Sequence, residues 1–261
     1  MSDPVYILIR TANRPKFFAN LMQSIKEQTY PNIITIVHTD DPADDYITGD
    51  IIIRGIRPPS SLGTAPYNLY NNTLLQAIPD GAGWYHFIDD DDMYAIPDAI
   101  ERLVANSRRG CVNVGRVKRW NETVWPRRWG TQKSFQTECF FLHTEHKNIG
   151  EWWANKGGDH NYSKQLTAKL PINWIDNLLI AKAQDGKGHG RRYDLGEKPV
   201  KMDVNGVATV HDMVRVEYLR TIRSPLFLKG KLGEIKDMRK ERAERLERKG
   251  KVKIIQEEIA V

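Results

Sequence analysis

The stretch Gly83-Trp84-Tyr85-His86-Phe87-Ile88-Asp89-Asp90-Asp91-Asp92-Met93 decides how the rest of the chain is read. Trp84 to Ile88 is apolar and aromatic and reads as a buried strand, with Gly83 as the turn before it. It runs straight into four consecutive carboxylates. Like charges this close repel one another, so a compact protein keeps them where a cation offsets them or where water screens them. They fall at the carboxyl end of the strand, the edge at which open α/β sheets bind ligands. On an extended backbone Asp89 and Asp91 share one face, and Asp90 and Asp92 share the other. Two hard oxygen donors on one face suit Mg2+ or Mn2+, ions that keep waters and bind substrate phosphates as well. The plainer alternative is a solvated acidic loop.

Working outward, Val5-Tyr6-Ile7-Leu8-Ile9 is a continuous apolar run with β-branched residues, as a central strand requires. It ends in Arg10-Thr11-Ala12-Asn13-Arg14-Pro15, where Asn13 can cap a helix and Pro15 suits its first turn. Phe17, Leu21 and Ile25 recur every four residues, which predicts an amphipathic helix from Lys16 to Gln28. Tyr30-Pro31-Asn32 breaks it. Ile33 to His38 and Ile51 to Ile53 read as strands, and Pro66 to Ile78 as a helix. The first hundred residues are therefore β-α-β-β-α-β, an open, mostly parallel sheet. Beyond it the alternation weakens. A helix is expected from Ile96 to Ser107 and another from Asp159 to Ala168. Cys111 to Arg116 and Gln136 to His143 read as strands around a Trp- and Arg-rich loop. Ile172 to Ala181 reads as a strand pair, and Gln184 to Arg192 as a Gly-, Lys- and His-rich loop. Glu234 to Lys249 is highly charged and reads as a solvated helix with i,i+4 pairs such as Glu241–Arg245.

The 261 residues suffice for one large domain, or one domain and a tail, and an apolar fraction of 40% supports a real core. No apolar run approaches the roughly 20 residues of a membrane helix, so no transmembrane segment is expected. No basic region followed by an apolar stretch opens the chain, so no signal peptide is expected either. Two cysteines, Cys111 and Cys139, lie far apart without metal spacing, which fits a reducing cytoplasm. The net charge is +6, and residues 229–253 hold eleven Lys/Arg against five Asp/Glu, so the tail carries the excess. A basic tail points to a polyanion: nucleic acid, an anionic membrane surface or an acidic substrate. No Gly-rich phosphate loop follows the first strand, which argues against a phosphoryl or nucleotidyl transferase.

In motif order the chain resembles family 2 glycosyltransferases of the GT-A fold. Thr11-Ala12-Asn13-Arg14 follows the first strand. Gln28-Thr29-Tyr30-Pro31-Asn32 closes the first helix, and Asp40-Asp41 closes the next strand. A helix bearing Asn68 comes before an Asp-x-Asp signature that directly follows Phe87-Ile88. The resemblance covers residues 4–100 closely and 135–195 loosely. It implies one domain over residues 1–228, with a nucleotide-sugar-binding half to about residue 100 and an acceptor half beyond it. Residues 229–261 are then a basic helical tail.

The resemblance also implies a nucleotide-sugar donor, Mn2+ or Mg2+, and transfer to an acceptor hydroxyl with inversion. Asp91 would bind the metal, with Asp89 sharing it or lying on the ribose side. Asp92 takes over as a contact if the register moves by one. Thr11, Asn13, Arg14, Asn68, Asp90 and Arg191 would line the donor, and Asp40 would accept from the base N–H, which favours uracil. Inversion needs a general base to take the acceptor proton. Asp159 is the candidate, with Glu138 and Glu151 as others, and a helix N-cap as its plainer reading. Gly158 departs from the family, which has a Glu there. His189 is a candidate metal ligand or a solvated loop residue. Trp152, Trp153 and Glu138 fall on the acceptor side, where aromatic faces stack on sugars or simply pack. The acceptor could be a glycan precursor or a hydroxylated DNA base. The competing class is a non-catalytic nucleotide- or nucleic-acid-binding module of the same shape, kept open by Gly158.

Overall fold

The computed structural model describes residues 2–41, 44–56, 58–119, 121–126 and 135–184, and beyond them only the strand segments 201–202, 208–209, 213–218, 235–239 and 252–255. The chain divides into two compact units, residues 1–197 and 198–261, so the division falls some thirty residues before the boundary expected at 228. Among the described residues no helix is long and apolar enough to cross a membrane.

The first unit alternates strands and helices. In order these are β1 (Val5–Thr11), α1 (Pro15–Lys26), β2 (Ile33–Thr39), β3 (Ile51–Arg54), α2 (Tyr70–Gln76) and β4 (Trp84–Asp89). Then follow β5 (Asp92–Tyr94), α3 (Ala99–Asn106), β6 (Val112–Lys118), β7 (Val124–Trp125), β8 (Phe140–His143), α4 (Gly158–Thr167) and β9 (Ile172–Ala183). One mixed sheet runs β3-β2-β1-β4-β8-β6-β9-β5, with β7 against β6. β1 lies between β2 and β4, parallel to both. It is apolar on both faces because both are covered, and Val5, Ile7 and Ile9 have no exposed surface. α1 turns Phe17, Phe18, Leu21 and Ile25 onto the sheet. Each such side chain contributes about 1.5–3 kcal/mol on burial. The sheet becomes mixed from β8 onward, where β8 runs antiparallel to β4 and β6.

Several sequence expectations shift. The acidic run is not extended: Asp89 ends β4, Asp90-Asp91 is a turn, and Asp92 begins β5, which pairs with the end of β9. Asp89 and Asp91 are therefore not related by strand alternation. Ile172 to Ala183 is one strand, not a pair, despite the turn-prone Asp176-Asn177 at its middle. It runs parallel to β6 with a register shift after Val114, and Gly115 lets it pass (a Cβ there would lie 2.0 Å from Ile180 Cδ1). Residues 137–139 form a 3-10 turn rather than the start of a strand. Asn13 does not cap α1. It takes a left-handed conformation, φ 55°, which Asn tolerates better than most residues.

The second unit holds a hairpin of β10 (Lys201–Met202) with β11 (Ala208–Thr209). It also holds an antiparallel sheet in which β12 (Met213–Tyr218) lies between β13 (Ile235–Arg239) and β14 (Val252–Ile255). The segment expected to be helical from Glu234 to Lys249 opens on the strand Ile235–Arg239, and its residues 240–249, where the i,i+4 pairs fall, lie outside the described residues.

Candidate active site

Parallel pairing of β1 with β2 and β4 brings three carboxyl ends to one edge, with Arg10 in register with both His38 and Asp89. A cleft of about 320 Å3 opens there. Thr11, Arg14, Asn68, Asp89 to Asp92, Glu138, Trp152 and Asp159 all line it, so most of the sequence candidates come together. Asn13, Asp40 and Trp153 do not line it. His189 and Arg191 lie outside the described residues, as do positions 120 and 127–134 of the Trp- and Arg-rich loop.

The floor of the cleft is a set of carboxylates with two arginines among them. Arg10, singled out by nothing in the sequence analysis, grips Asp89 with two parallel bonds, Nε to Oδ1 at 2.8 Å and Nη2 to Oδ2 at 2.9 Å. Its remaining nitrogen reaches Asn68 Oδ1 at 3.1 Å, and its guanidinium lies 5.4 Å from the Tyr67 ring centre. A basic residue closing the central strand, one step before Thr11, was the signal available. Burial disfavours the Asp89 charge, but Arg10 outweighs it and holds the carboxyl below the usual range. Arg14 donates to Asp90 Oδ1 at 2.7 Å and stands 3.3 Å from Asp91 Oδ2. Thr11 donates to Asp90 Oδ2 at 2.8 Å and lies 2.9 Å from the Tyr46 hydroxyl. Even so, burial pushes Asp90 up to about 7.

The far wall has carboxyls without such partners. Burial raises Asp92 well above the usual range, and the neighbouring Glu138 adds to it. Burial, then Asp89, pushes Glu138 up to about 8, and the two carboxyls share a hydrogen bond. Beneath them His86 is fully buried on β4, its ring bridging the Tyr94 hydroxyl at 2.8 Å and the Glu138 carbonyl at 2.9 Å.

Asp159 stands in the first turn of α4, whose N-cap is Gly157, so Asp159 is not the cap. It accepts from the His160 amide at 2.9 Å, and burial raises its pKa. Gly158 has a steric reason: a Cβ there would lie 2.4 Å from Asn68 Nδ2. That amide is committed, donating to the Asn155 carbonyl at 2.8 Å. Asn68 thus joins Arg10 to the loop before α4, and a larger residue at 158 would displace it. Trp152 is 1% exposed and stacks on Tyr162 with ring centres 4.7 Å apart, so it is chiefly a packing residue. Trp153 is 47% exposed. Asp40 is buried behind Tyr70, whose hydroxyl donates to it, and Tyr70 rather than Asp40 faces the cleft. Asn13 ties the loops after β1 and β2 together, its side chain donating to Asp41 at 2.7 Å and its backbone to Asp44 at 3.0 Å. Glu151 is exposed and does not line the cleft.

Among the described residues no group of three or more His, Cys, Asp or Glu side chains is set to hold an ion. Both oxygens of Asp89 and both of Asp90 already accept hydrogen bonds, which leaves Asp91 as the least committed carboxylate of the turn. One or two carboxylates, with the rest of the shell from substrate phosphate and water, is the pattern by which Mg2+ is held. The donor set fits such an ion on Asp91.

The fold places these residues in known company. Crystal structures of the glycosyltransferase TarS from S. aureus superpose on 69% of this chain, with a TM-score of 0.53 at 14% identity. The match spans 36% of the TarS chain and 60% of its 1–349 fragment. The same fragment in complex with UDP matches with a TM-score of 0.50 at 15% identity. The architecture is therefore α/β of the GT-A type. The present chain spans between about a third and three-fifths of those proteins. No protein-family model matches the sequence, and no curated protein matches it.

Proposed function

We propose that this chain is an inverting, metal-dependent glycosyltransferase of the family 2 kind, moving a sugar from a uridine diphosphate sugar to an acceptor hydroxyl. One observation carries the reading. A carboxylate turn at the carboxyl edge of the sheet and a raised-pKa aspartate at a helix start line the same cleft. Asp91 would hold Mn2+ or Mg2+ together with the donor diphosphate. The ion when bound supplies Lewis-acid stabilisation of the leaving diphosphate. Thr11, Arg14 and Asn68 orient the donor, and Asp89, held by Arg10, presents a fixed carboxylate to the ribose side. Tyr70, backed by Asp40, meets the base.

Asp159 takes the acceptor proton as the hydroxyl oxygen attacks the anomeric carbon, and the nucleoside diphosphate leaves from the opposite face. Its raised pKa brings its basicity closer to neutral pH than that of an ordinary carboxylate, as a general base requires. Glu138 is a weaker candidate, because its proton is shared with Asp92 deep in the wall. The buried Trp152 indole N–H, which finds no partner among the described residues, offers a donor to a sugar hydroxyl. The non-catalytic alternative rested on Gly158, and the close approach of Asn68 gives that glycine a packing reason.

The test is nucleotide release from a panel of nucleotide sugars with and without Mn2+. Release from a uridine sugar that needs Mn2+, and falls about a thousandfold in Asp91→Ala, is the expected result. No release from any donor, with no calorimetric binding of UDP and Mn2+, would overturn the reading.

A further inference from the structure

Gln184 follows the last residue of β9, and its side chain is buried against the acidic turn. Its carboxamide nitrogen donates to the carbonyls of Asp90 at 3.1 Å, Asp92 at 3.0 Å and Phe17 at 2.9 Å. Its backbone N–H donates to the Asp91 carbonyl at 2.8 Å. Asn20 on α1 donates to its carboxamide oxygen at 3.0 Å, which fixes the amide's orientation. The Asp90 carbonyl belongs to the peptide unit before Asp91, and the Asp91 carbonyl to the unit after it. One residue therefore holds both peptide planes that flank the Asp91 Cα. Fixing those planes fixes the direction of its Cα–Cβ bond.

We infer that Gln184 is a positioning residue for the metal carboxylate: it sets the aim of Asp91 while touching neither the ion nor the donor. The inference rests on the assignment of Asp91 as metal ligand. Three carbonyls converging on one amide is an arrangement that Gln serves and Glu cannot, because a carboxylate has no proton to donate to them. Nor does core packing explain it, since an apolar residue of equal size would leave three buried carbonyls without this donor. The tether to Phe17 and Asn20 also couples the turn to α1, whose N-terminus is adjacent to Arg14, the partner of Asp90. Side chain and backbone of the turn are thereby both tied to α1, the one through its N-cap Arg14 and the other through Gln184.

The experiment is Mn2+ binding by electron paramagnetic resonance in the presence of UDP, on wild type and on Gln184→Met, which keeps the backbone N–H and the volume. Loss of an outer partner of a ligand typically weakens metal affinity by about 10–100-fold. A tenfold weaker Mn2+ affinity, with UDP affinity without metal unchanged, is expected. Altered Mn2+ hyperfine or zero-field structure in the saturated variant should accompany it, a signature that a merely stabilising residue would not move. A folded Gln184→Met that binds Mn2+ within twofold of wild type overturns the inference. Should that variant not fold, Asn20→Ala carries the test, since it frees the amide to rotate. Several-fold weaker Mn2+ binding there supports the inference, and unchanged binding overturns it. Absence of Mn2+ binding by wild type with UDP present would instead bring down the metal-dependent reading itself, and this inference with it.

Discussion

The two walls of the cleft treat their carboxyls in opposite ways. On the side proposed to take the donor, Asp89 and Asp90 each have an arginine, and Asp89 is held below the usual pKa range. On the far side Asp92, Glu138 and Asp159 have no ion pair among the described residues, and burial raises all three. Two parallel bonds from Arg10 hold the Asp89 charge against burial, whereas the Arg14 contact to Asp90 does not, and burial pushes that carboxyl up to about 7. Carboxyls left to burial alone keep their protons to higher pH. The same residue type is thus divided between a fixed charge and a protonatable group, and the division is set by how fully an arginine engages it.

The sharpest way to break this contrast is to remove the proton acceptor. Asp159→Asn should lower kcat by about a thousandfold while UDP binding by calorimetry stays at the wild-type value. Turnover at the wild-type rate would move the base elsewhere on that wall.

The far wall stands on His86, whose burial holds its pKa at about 4 against an ordinary 6.5. The folded protein keeps this ring neutral where the unfolded chain takes a proton. Stability is therefore fully present above pH 6.5 and falls as pH drops from there to about 4, by about 3 kcal/mol from this group. Urea midpoints measured across that window should show the slope, and His86→Gln should flatten it. A slope as steep in the variant as in wild type would assign the acid sensitivity to other groups.

The donor wall should respond as a paired charge does. Arg10→Met leaves Asp89, half-buried in the cleft, without its charge-assisted hydrogen bonds, at a cost of about 2 kcal/mol in chemical denaturation. Adding Asp89→Asn should recover part of that loss. If the double variant were no more stable than Arg10→Met alone, the bidentate pair would not be the interaction lost.

The smallest effect should come where the walls meet. Gly158→Ala forces a methyl to 2.4 Å from Asn68 Nδ2, and about 1 kcal/mol of stability should go with the displaced amide. Donor affinity should weaken as well, since Asn68 also holds Arg10. A neutral substitution would mean that Asn68 has slack, and that Gly158 marks a lost catalytic residue after all.

Much of the donor wall could be read from the chain. Trp84 to Ile88 running into four aspartates, Val5 to Ile9 running into Thr11 and Arg14, and the four-residue spacing of Phe17, Leu21 and Ile25 are local patterns. Each element's burial follows from its own period. Asp159 could be placed at a helix start for the same reason. Arg10 and Gln184 could not be found this way. Their partners lie 79 residues away in one case and 92 to 167 in the other, and a lone Arg or Gln has no periodicity to betray it. In the second unit the strand Ile235–Arg239 could not be read, because it carries no period-2 apolar pattern and its pairing with β12 is not a local property.

By itself the sequence determined the parallel half of the sheet and the edge at which its acids collect, because side-chain period and strand-end position are local properties of the chain. Only the tertiary structure decided which aspartate is locked by an arginine, which is the least committed and which burial keeps protonated to higher pH. That depends on where Arg10, Arg14 and Gln184 arrive from strands and helices distant in sequence, and on how far each carboxyl is taken out of water.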